Sequence, residues 1–394
     1  MRSLSKLTLL LTIILMDLLT GMEFDLFVPS FPDLQSYFHI TPFWVETLLS
    51  MNFIGYCFSL FFVGALSDRY GRKKILLMGL LVFVCGGIFC LGSSSFYGLL
   101  VGRLLHGIGI AAPAILSFLI IADQYPVKEQ QRFMALLNGV MNTAVGLAPL
   151  LGSYLTLYFH WQGNFVVLTL LGCLTLIMTQ LFIPNYAPSI HHDSTQRLGY
   201  VALMKNKKLM LLVGHILLMI IPYWIFVGMS PLLYMKSLGV SLTHFGYYQG
   251  SLAIFFAMGC FLFSWLLPYL STKTWLKSCA VIVGLSLFSI GLVSWLYPSN
   301  PLLITLSVMV FVISQIIPST ILFPICLNYV KEAKGQVSAL IQGGRLIFCA
   351  MALQIAGFYY QGTFQMLGVM IMAVIALVLL TLGLVIGSWG NYQD

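Results

Sequence analysis

The chain has 394 residues, 60% of them hydrophobic and only 8% charged, with a formal net charge of +8. A water-soluble surface needs about 25% charged residues, so the composition excludes a soluble protein and makes the bilayer the main solvent. It also argues against a nucleic-acid partner, which would need the basic residues gathered into one accessible patch.

About 20 mostly apolar residues cross a bilayer. Applied in chain order, that rule predicts twelve spans, at 7–29, 42–66, 75–93, 97–122, 133–159, 164–184, 208–234, 242–268, 276–297, 300–329, 336–361 and 364–388. None shows period-two alternation, so all are expected to be helices that satisfy their own backbone in lipid. Short connections such as His160–Gly163 and Tyr297–Asn300 make neighbours antiparallel.

The first span follows Arg2 and Lys6 in the manner of a signal peptide. Its apolar stretch runs past Asp17 into Glu23 and Asp25 with no small-residue cleavage site, so it is expected to be a retained span. An ionisable group at membrane depth costs about 3 kcal/mol or more and usually marks a transport pathway. Asp17 and Asp25 lie about 80° and about 12 Å apart on a helix, broadly on one face. They are expected to bind protons or a cationic solute, with structural pairing as the competing reading. Glu23 is turned about 160° from Asp25 and lies nearer the outer mouth; it is expected to be a structurally paired acid or a carboxylate reaching the outer water, with a proton or cation role as the alternative.

The gap between spans 2 and 3 reads Gly64-Ala65-Leu66-Ser67-Asp68-Arg69-Tyr70-Gly71-Arg72-Lys73-Lys74. Glycines permit close packing and a tight turn, and four bases hold the loop on an anionic membrane face. Sixteen of the nineteen Lys and Arg fall on this side of the membrane, only Lys236 on the other, and Arg103 and Arg345 within spans. Such asymmetry places both termini in the cytoplasm. The longest polar gap, 185–207, separates an N-terminal six-helix bundle (1–184) from a C-terminal one (208–394) as a cytoplasmic linker. Pro126-Val127-Lys128-Glu129 before span 5 is echoed by Tyr329-Val330-Lys331-Glu332 before span 11, as expected of transporters built from repeated halves.

The span 2–3 string resembles the G-x-L-x-D-R-x-G-R-K/R-x signature of the major facilitator superfamily. The resemblance implies a conformational latch of Gly64, Asp68, Arg69, Gly71, Arg72 and Asp123. In it Asp68 bonds the start of span 11 at Gly335-Gln336-Val337-Ser338, and the bases pair with Asp123 at the end of span 4. Asp25-Leu26-Phe27-Val28-Pro29-Ser30-Phe31-Pro32 is similar to the D-x-Y-L-P-x-L-P segment of the Bcr/CflA-type multidrug-resistance branch. Arg103-Leu104-Leu105-His106-Gly107-Ile108-Gly109 resembles the R-x-x-Q-G-x-G motif of span 4, with His106 in place of Gln. Arg103 cannot deprotonate, so its part is electrostatic, exchanging carboxylate partners as they take up protons. His106 is either a titrating group or a hydrogen-bonded packing residue. Gly146-Leu147-Ala148-Pro149-Leu150-Leu151-Gly152-Ser153 resembles the antiporter signature of span 5, in which small residues pack tightly and Pro149 bends the helix. That resemblance implies export.

The second half departs from the pattern. Gln342 and Arg345 in span 11 are three apart and share a face, and with Arg103 they offer cationic poles for a carboxylate-bearing solute. Pairing of Arg345 with Asp17 is the alternative. Tyr223 is a further candidate solute contact. Eight scattered cysteines without Cys-x-x-Cys spacing imply buried thiols rather than a metal site. The absence of G-x-x-x-x-G-K-[ST] argues against ATP-driven pumping, and no nucleophile–base pair implies an enzyme.

The expectation is therefore an all-α integral membrane protein with twelve transmembrane helices in two six-helix bundles, the major facilitator fold, in a bacterial inner membrane. It would act as a monomer with protons and a small-molecule solute as partners and the lipid bilayer as its surroundings, without cofactor, metal or nucleic acid. Asp25, Asp17 and Arg103 are the expected proton-coupling residues. Asp17, Asp25, Arg103, Gln342, Arg345 and Tyr223 are the expected solute contacts. The function is export of amphipathic solutes or drugs, or alternatively transport of an anionic metabolite or carboxylate siderophore through Arg103 and Arg345.

Overall fold

A computed structural model describes residues 2–124, 127–185, 200–266, 269, 271–329 and 334–388, and its regular elements are all helical. In order they are α1 (Arg2–Asp25), a 3-10 turn at Val28–Ser30, α2 (Phe31–Phe38), α3 (Pro42–Tyr70), α4 (Arg72–Gly92), α5 (Phe96–Gln124) and α6 (Val127–Phe182). There follow α7 (Tyr200–Lys205), α8 (Lys207–Pro231), a π-type turn at Leu232–Ser237, α9 (Leu242–Leu266), α10 (Thr272–Leu296), α11 (Pro301–Tyr329), α12 (Lys334–Tyr359) and α13 (Phe364–Gly387). Ten helical stretches among the described residues are long and apolar enough to cross a membrane. They are apolar on both faces: α4 buries Leu76, Leu80 and Phe83 while exposing Met78, Leu81, Ile88 and Phe89. A helix apolar all round is stable only with lipid as its solvent.

Helix ends follow local chemistry. Pro42 and Pro301 stand at first helical positions, where the missing N–H costs nothing. Asn206 accepts from Leu209 N at 3.2 Å, and Ser271 from Thr274 N at 3.2 Å, satisfying otherwise orphaned amides at the starts of α8 and α10. Gly71 separates α3 from α4 in a single residue at φ 95°, and its N–H closes α3 on Ser67 O at 3.0 Å. A side chain is strained at that angle, which accounts for the glycine.

The expected connection His160–Gly163 contracts to one residue. Only His160 leaves helical geometry (φ 54°, ψ −167°), breaking α6 into two helical segments. Asp33 of α2 makes this possible, since its Oδ2 accepts from Trp161 N at 2.8 Å and lies 3.7 Å from His160 Nδ1. The second segment is thereby capped by a distant carboxylate. Of the expected linker 185–207, residues 186–199 lie outside the described residues, and Tyr200–Lys205 forms α7.

The chain divides into two compact units, Met1–His192 with Ser241–Gly250, and Asp193–Val240 with Ser251–Asp394. In the first, α5 packs against α3 and α4, and α1 against α6. Its core runs through Ile13, Met16, Leu80, Phe83, Ile110 and Leu168. In the second, α8 packs against α11, α12 and α13. Polar pins tie that unit internally: Gln315 Nε2 donates to Met219 O at 2.8 Å, and Tyr234 and Thr305 hydroxyls meet at 2.6 Å.

Candidate functional site

The first unit holds a charged cluster with no solvent access. It is built where α3 and α5 come closest. A side chain on Gly107 of α5 would run into the backbone carbonyl of Asn52 on α3, so only glycine permits that approach. The approach lets Asn52 Nδ2 donate both to Arg103 O at 3.2 Å and to Glu23 Oε1 of α1 at 2.7 Å. Gly152 does the same for the residue that follows α1, meeting the Leu26 carbonyl oxygen where a Cβ would stand.

Within this frame Arg103 Nη1 donates to Glu23 Oε1 at 2.6 Å, and both side chains are 0% exposed. The Arg103 guanidinium lies 4.0 Å from the centroid of the Phe27 ring and 6.0 Å from that of Phe165. His106 stacks on Phe83 with centroids 4.4 Å apart and planes at 15°. Its Nδ1 is 3.2 Å from Arg103 Nη1. A guanidinium only donates, so Nδ1 must accept, which fixes His106 as the neutral tautomer with its proton on Nε2. A doubly protonated imidazole cannot make that contact. Of the two alternatives for His106, the arrangement favours the hydrogen-bonded packing residue.

Of the readings open for Glu23, the structure shows the structurally paired acid, buried against Arg103, and not a carboxylate reaching the water. Asp25 and Asp17, expected with Arg103 to be the proton-coupling residues, make no ion pair among the described residues. Both are buried, at 4% and 1% exposure, and Asp17 Oδ2 has no hydrogen bond to described protein atoms. The Ser117 side chain of α5 lies beside Asp17. Helical angle alone misleads here, because it relates acids on α1 to one another but not to α5.

In the loop signature, Arg72 is 5% exposed; its Nε donates to Asp123 Oδ2 at 3.0 Å and its Nη1 to Ser67 Oγ at 2.6 Å. Arg69 stands over the Tyr70 ring at 5.2 Å, and Lys73 Nζ donates to Gln180 O at 2.7 Å. Gly64 departs from the close-packing expectation, as no described atom lies within 4 Å of where its Cβ would be. The Asp68 side chain, and those of Gln336 and Ser338 expected to face it, lie outside the described residues. In α6, Gly146, Pro149 and Gly152 are buried, and Ser153 Oγ donates to Pro149 O at 2.8 Å.

In the second unit Arg345 Nη1 donates to the exposed Gln342 Oε1 at 3.1 Å. Tyr223 is half-buried, its ring centroid 5.9 Å from that of Trp224. Sequence reasoning missed Asn52, which organises the Glu23–Arg103 pair, and Glu46, another buried acid on α3. Both could have been found by treating polar residues of the second apolar stretch as those of the first were treated.

Apolar helices of membrane length around buried charges define an integral, multi-pass membrane transporter. The chain belongs to the Major Facilitator Superfamily, whose model matches residues 13–353. It is 24% identical over 335 residues to the chloramphenicol resistance protein CraA of Acinetobacter baumannii, covering 84% of this chain and 81% of that protein. It is also 24% identical over 289 residues to a bicyclomycin resistance protein homologue of Haemophilus influenzae, covering 70% and 71%. Among solved structures, the inward-facing, occupied bacterial homologue of the human lysosomal transporter Spinster matches with a TM-score of 0.76 at 15% identity, covering 100% of this chain and 97% of that one. At that identity the likeness speaks for the fold.

Proposed function

We propose that the chain is a proton-coupled secondary transporter that exports small amphipathic solutes across the bacterial inner membrane by alternating access. In this reading it has twelve spans, both termini in the cytoplasm, and two six-helix bundles over 1–184 and 208–394. The charge asymmetry of the gaps supports the orientation.

The carrying observation lies on α1. Glu23 is neutralised by Arg103, while Asp17 and Asp25 are buried without an ion pair among the described residues. A carboxyl at membrane depth with no counter-ion can exchange a proton for a cationic or polar solute. Arg103 then acts as a fixed charge bound to Glu23, and Asp25 and Asp17 carry the protons. The latch of Arg72 and Asp123, with Gly71 at its turn, steadies the cytoplasmic ends of α3, α4 and α5. The names of the relatives, resistance proteins for chloramphenicol and bicyclomycin, support export of drug-like solutes.

Transport of an anionic metabolite is supported less well. It needs two cationic poles, and Arg103 already has its anion. Arg345 with Gln342 remains as one pole.

Sealed proteoliposomes carrying a pH-sensitive dye test the reading. Chloramphenicol or a lipophilic cation should drive proton movement, and Asp25→Asn should abolish it while downhill solute flux continues. Proton movement driven by citrate but by neither of those probes, and lost in Arg345→Ala, would overturn it.

A further inference from the structure

α3 carries an acid that neither the sequence signatures nor the cluster around Arg103 employs. Glu46 lies six residues before Asn52, about 9 Å nearer the start of the helix, inside the membrane-length apolar stretch Pro42–Gly64. Its side chain is wholly buried, and neither Oε1 nor Oε2 makes a hydrogen bond among the described residues. Its neighbours in the helix, Val45, Leu48 and Leu49, are apolar and fully buried.

The charged and titratable groups on the elements packed against α3 do not offset it. On α5, Arg103 is bound to Glu23, His106 accepts from Arg103, and Tyr97 is 71% exposed. On α2, Asp33 accepts from Trp161 N, and Tyr37 is exposed. On α1, which touches α3 through Phe24 and Phe53, Glu23 is taken and Asp25 adds only negative charge. On α4, Cys90 is a buried thiol, Arg72 and Lys73 bind Asp123 and Gln180 O, and Lys74 stands over Tyr70 near the far end of α3. A carboxylate charge held without hydrogen bond or partner in such surroundings is far costlier than a neutral acid.

We propose that Glu46 is a proton-binding site of its own, holding a proton while the start of α3 is packed as here and releasing it when that end of the helix opens to water. The ligand is a proton. Only its O–H bond breaks, and the proton passes to the entering water. The site deepens the proton-coupled reading above, on which it rests for its place in the transport cycle, by adding an acid outside the Asp17 and Asp25 pair.

Two measurements on the purified full chain in lipid nanodiscs, with no solute present, test it. Infrared difference spectra between the parent and Glu46→Gln at neutral pH should show one carboxylic-acid C=O band lost. Loss of a carboxylate band in its place would overturn the proposal. Hydrogen exchange of peptides spanning 42–52 gives the second readout, as the ratio of parent to Glu46→Gln at the same pH, so that intrinsic exchange cancels. By linkage that ratio should climb by up to about tenfold per pH unit once the pH exceeds the ordinary Glu range near about 4.3, until the packed state loses its own proton. A ratio that stays flat to about pH 9 would overturn the proposal. Glu46→Leu serves the same two readouts should Glu46→Gln fail to fold. Because no solute enters either measurement, failure of the export reading leaves both outcomes standing, and their failure leaves export untouched.

Discussion

Glu23 and Arg103 meet at 2.6 Å from helices 80 residues apart in sequence, with neither side chain exposed. The contact changes what each charge can do. A pair sealed in protein is weak as a source of stability, because removing two ions from water offsets most of their attraction. It is strong as a constraint, because neither partner tolerates loss of the other. Arg103 is therefore held within the first unit, while Asp17 and Asp25 are buried without an ion pair among the described residues.

Loss of Glu23 alone should show that constraint. Glu23→Gln leaves a buried guanidinium without its anion, which costs about 3–5 kcal/mol. Arg103→Met strands the carboxylate and should cost a similar amount. The double variant Glu23→Gln with Arg103→Met should cost much less than the two singles together. Thermal unfolding of the four proteins in one detergent measures the coupling, and additive losses would refute the pairing.

Asn52 should carry a cost beyond its size. It donates to Glu23 at 2.7 Å and to Arg103 O at 3.2 Å. Asn52→Leu keeps the branched shape, removes both bonds and should destabilise by about 1.5–3 kcal/mol, as expected for a bond to a charged group. Gly107→Ala should cost about 1–3 kcal/mol by a different route, forcing α3 off α5 at the Asn52 carbonyl. Combining the two should give less than their sum, because both loosen the same contact.

The limits of sequence reading show in these residues. The helical class and the membrane as solvent are legible because they depend on apolar length, which is local. Gly71 is legible too, since one positive φ accounts for it. The partner of Arg103 is not. Three helices must be rotated relative to one another before Glu23, two residues from Asp25, can be told apart from it, and that rotation is set by Gly107 and Gly152 at distant contacts. The break at His160 is hidden for the same reason, because its cap, Asp33, comes from α2.

The Arg72–Asp123 pair should behave differently from the buried one. Its side-chain exposures are 7% and 25%, and Arg72 keeps a second partner in Ser67. Asp123→Asn should therefore cost only about 1 kcal/mol in stability and weaken further with salt in the parent. Arg72→Lys should lose more than its retained charge suggests, since an ammonium cannot hold Asp123 and Ser67 from one planar fork. Melting temperatures at low and high ionic strength separate the two effects.

Asp17 and Asp25 should show the reverse pattern to Glu23, changing function without changing stability. Neither has an ion pair to lose among the described residues, so Asp17→Asn and Asp25→Asn remove no partner from another buried charge. Each should therefore cost much less than the roughly 3–5 kcal/mol of breaking the Glu23–Arg103 pair. Coupling should nonetheless fail, because an amide cannot take up and release a proton at these positions. The informative comparison is between solute accumulation against a gradient and exchange at equal concentrations. Accumulation should be lost in both variants while exchange survives, with Asp25→Asn the more severe of the two. A variant that melts with the parent and still accumulates solute would remove that acid from the proton path, leaving the other acids on α1 and α3 to account for coupling.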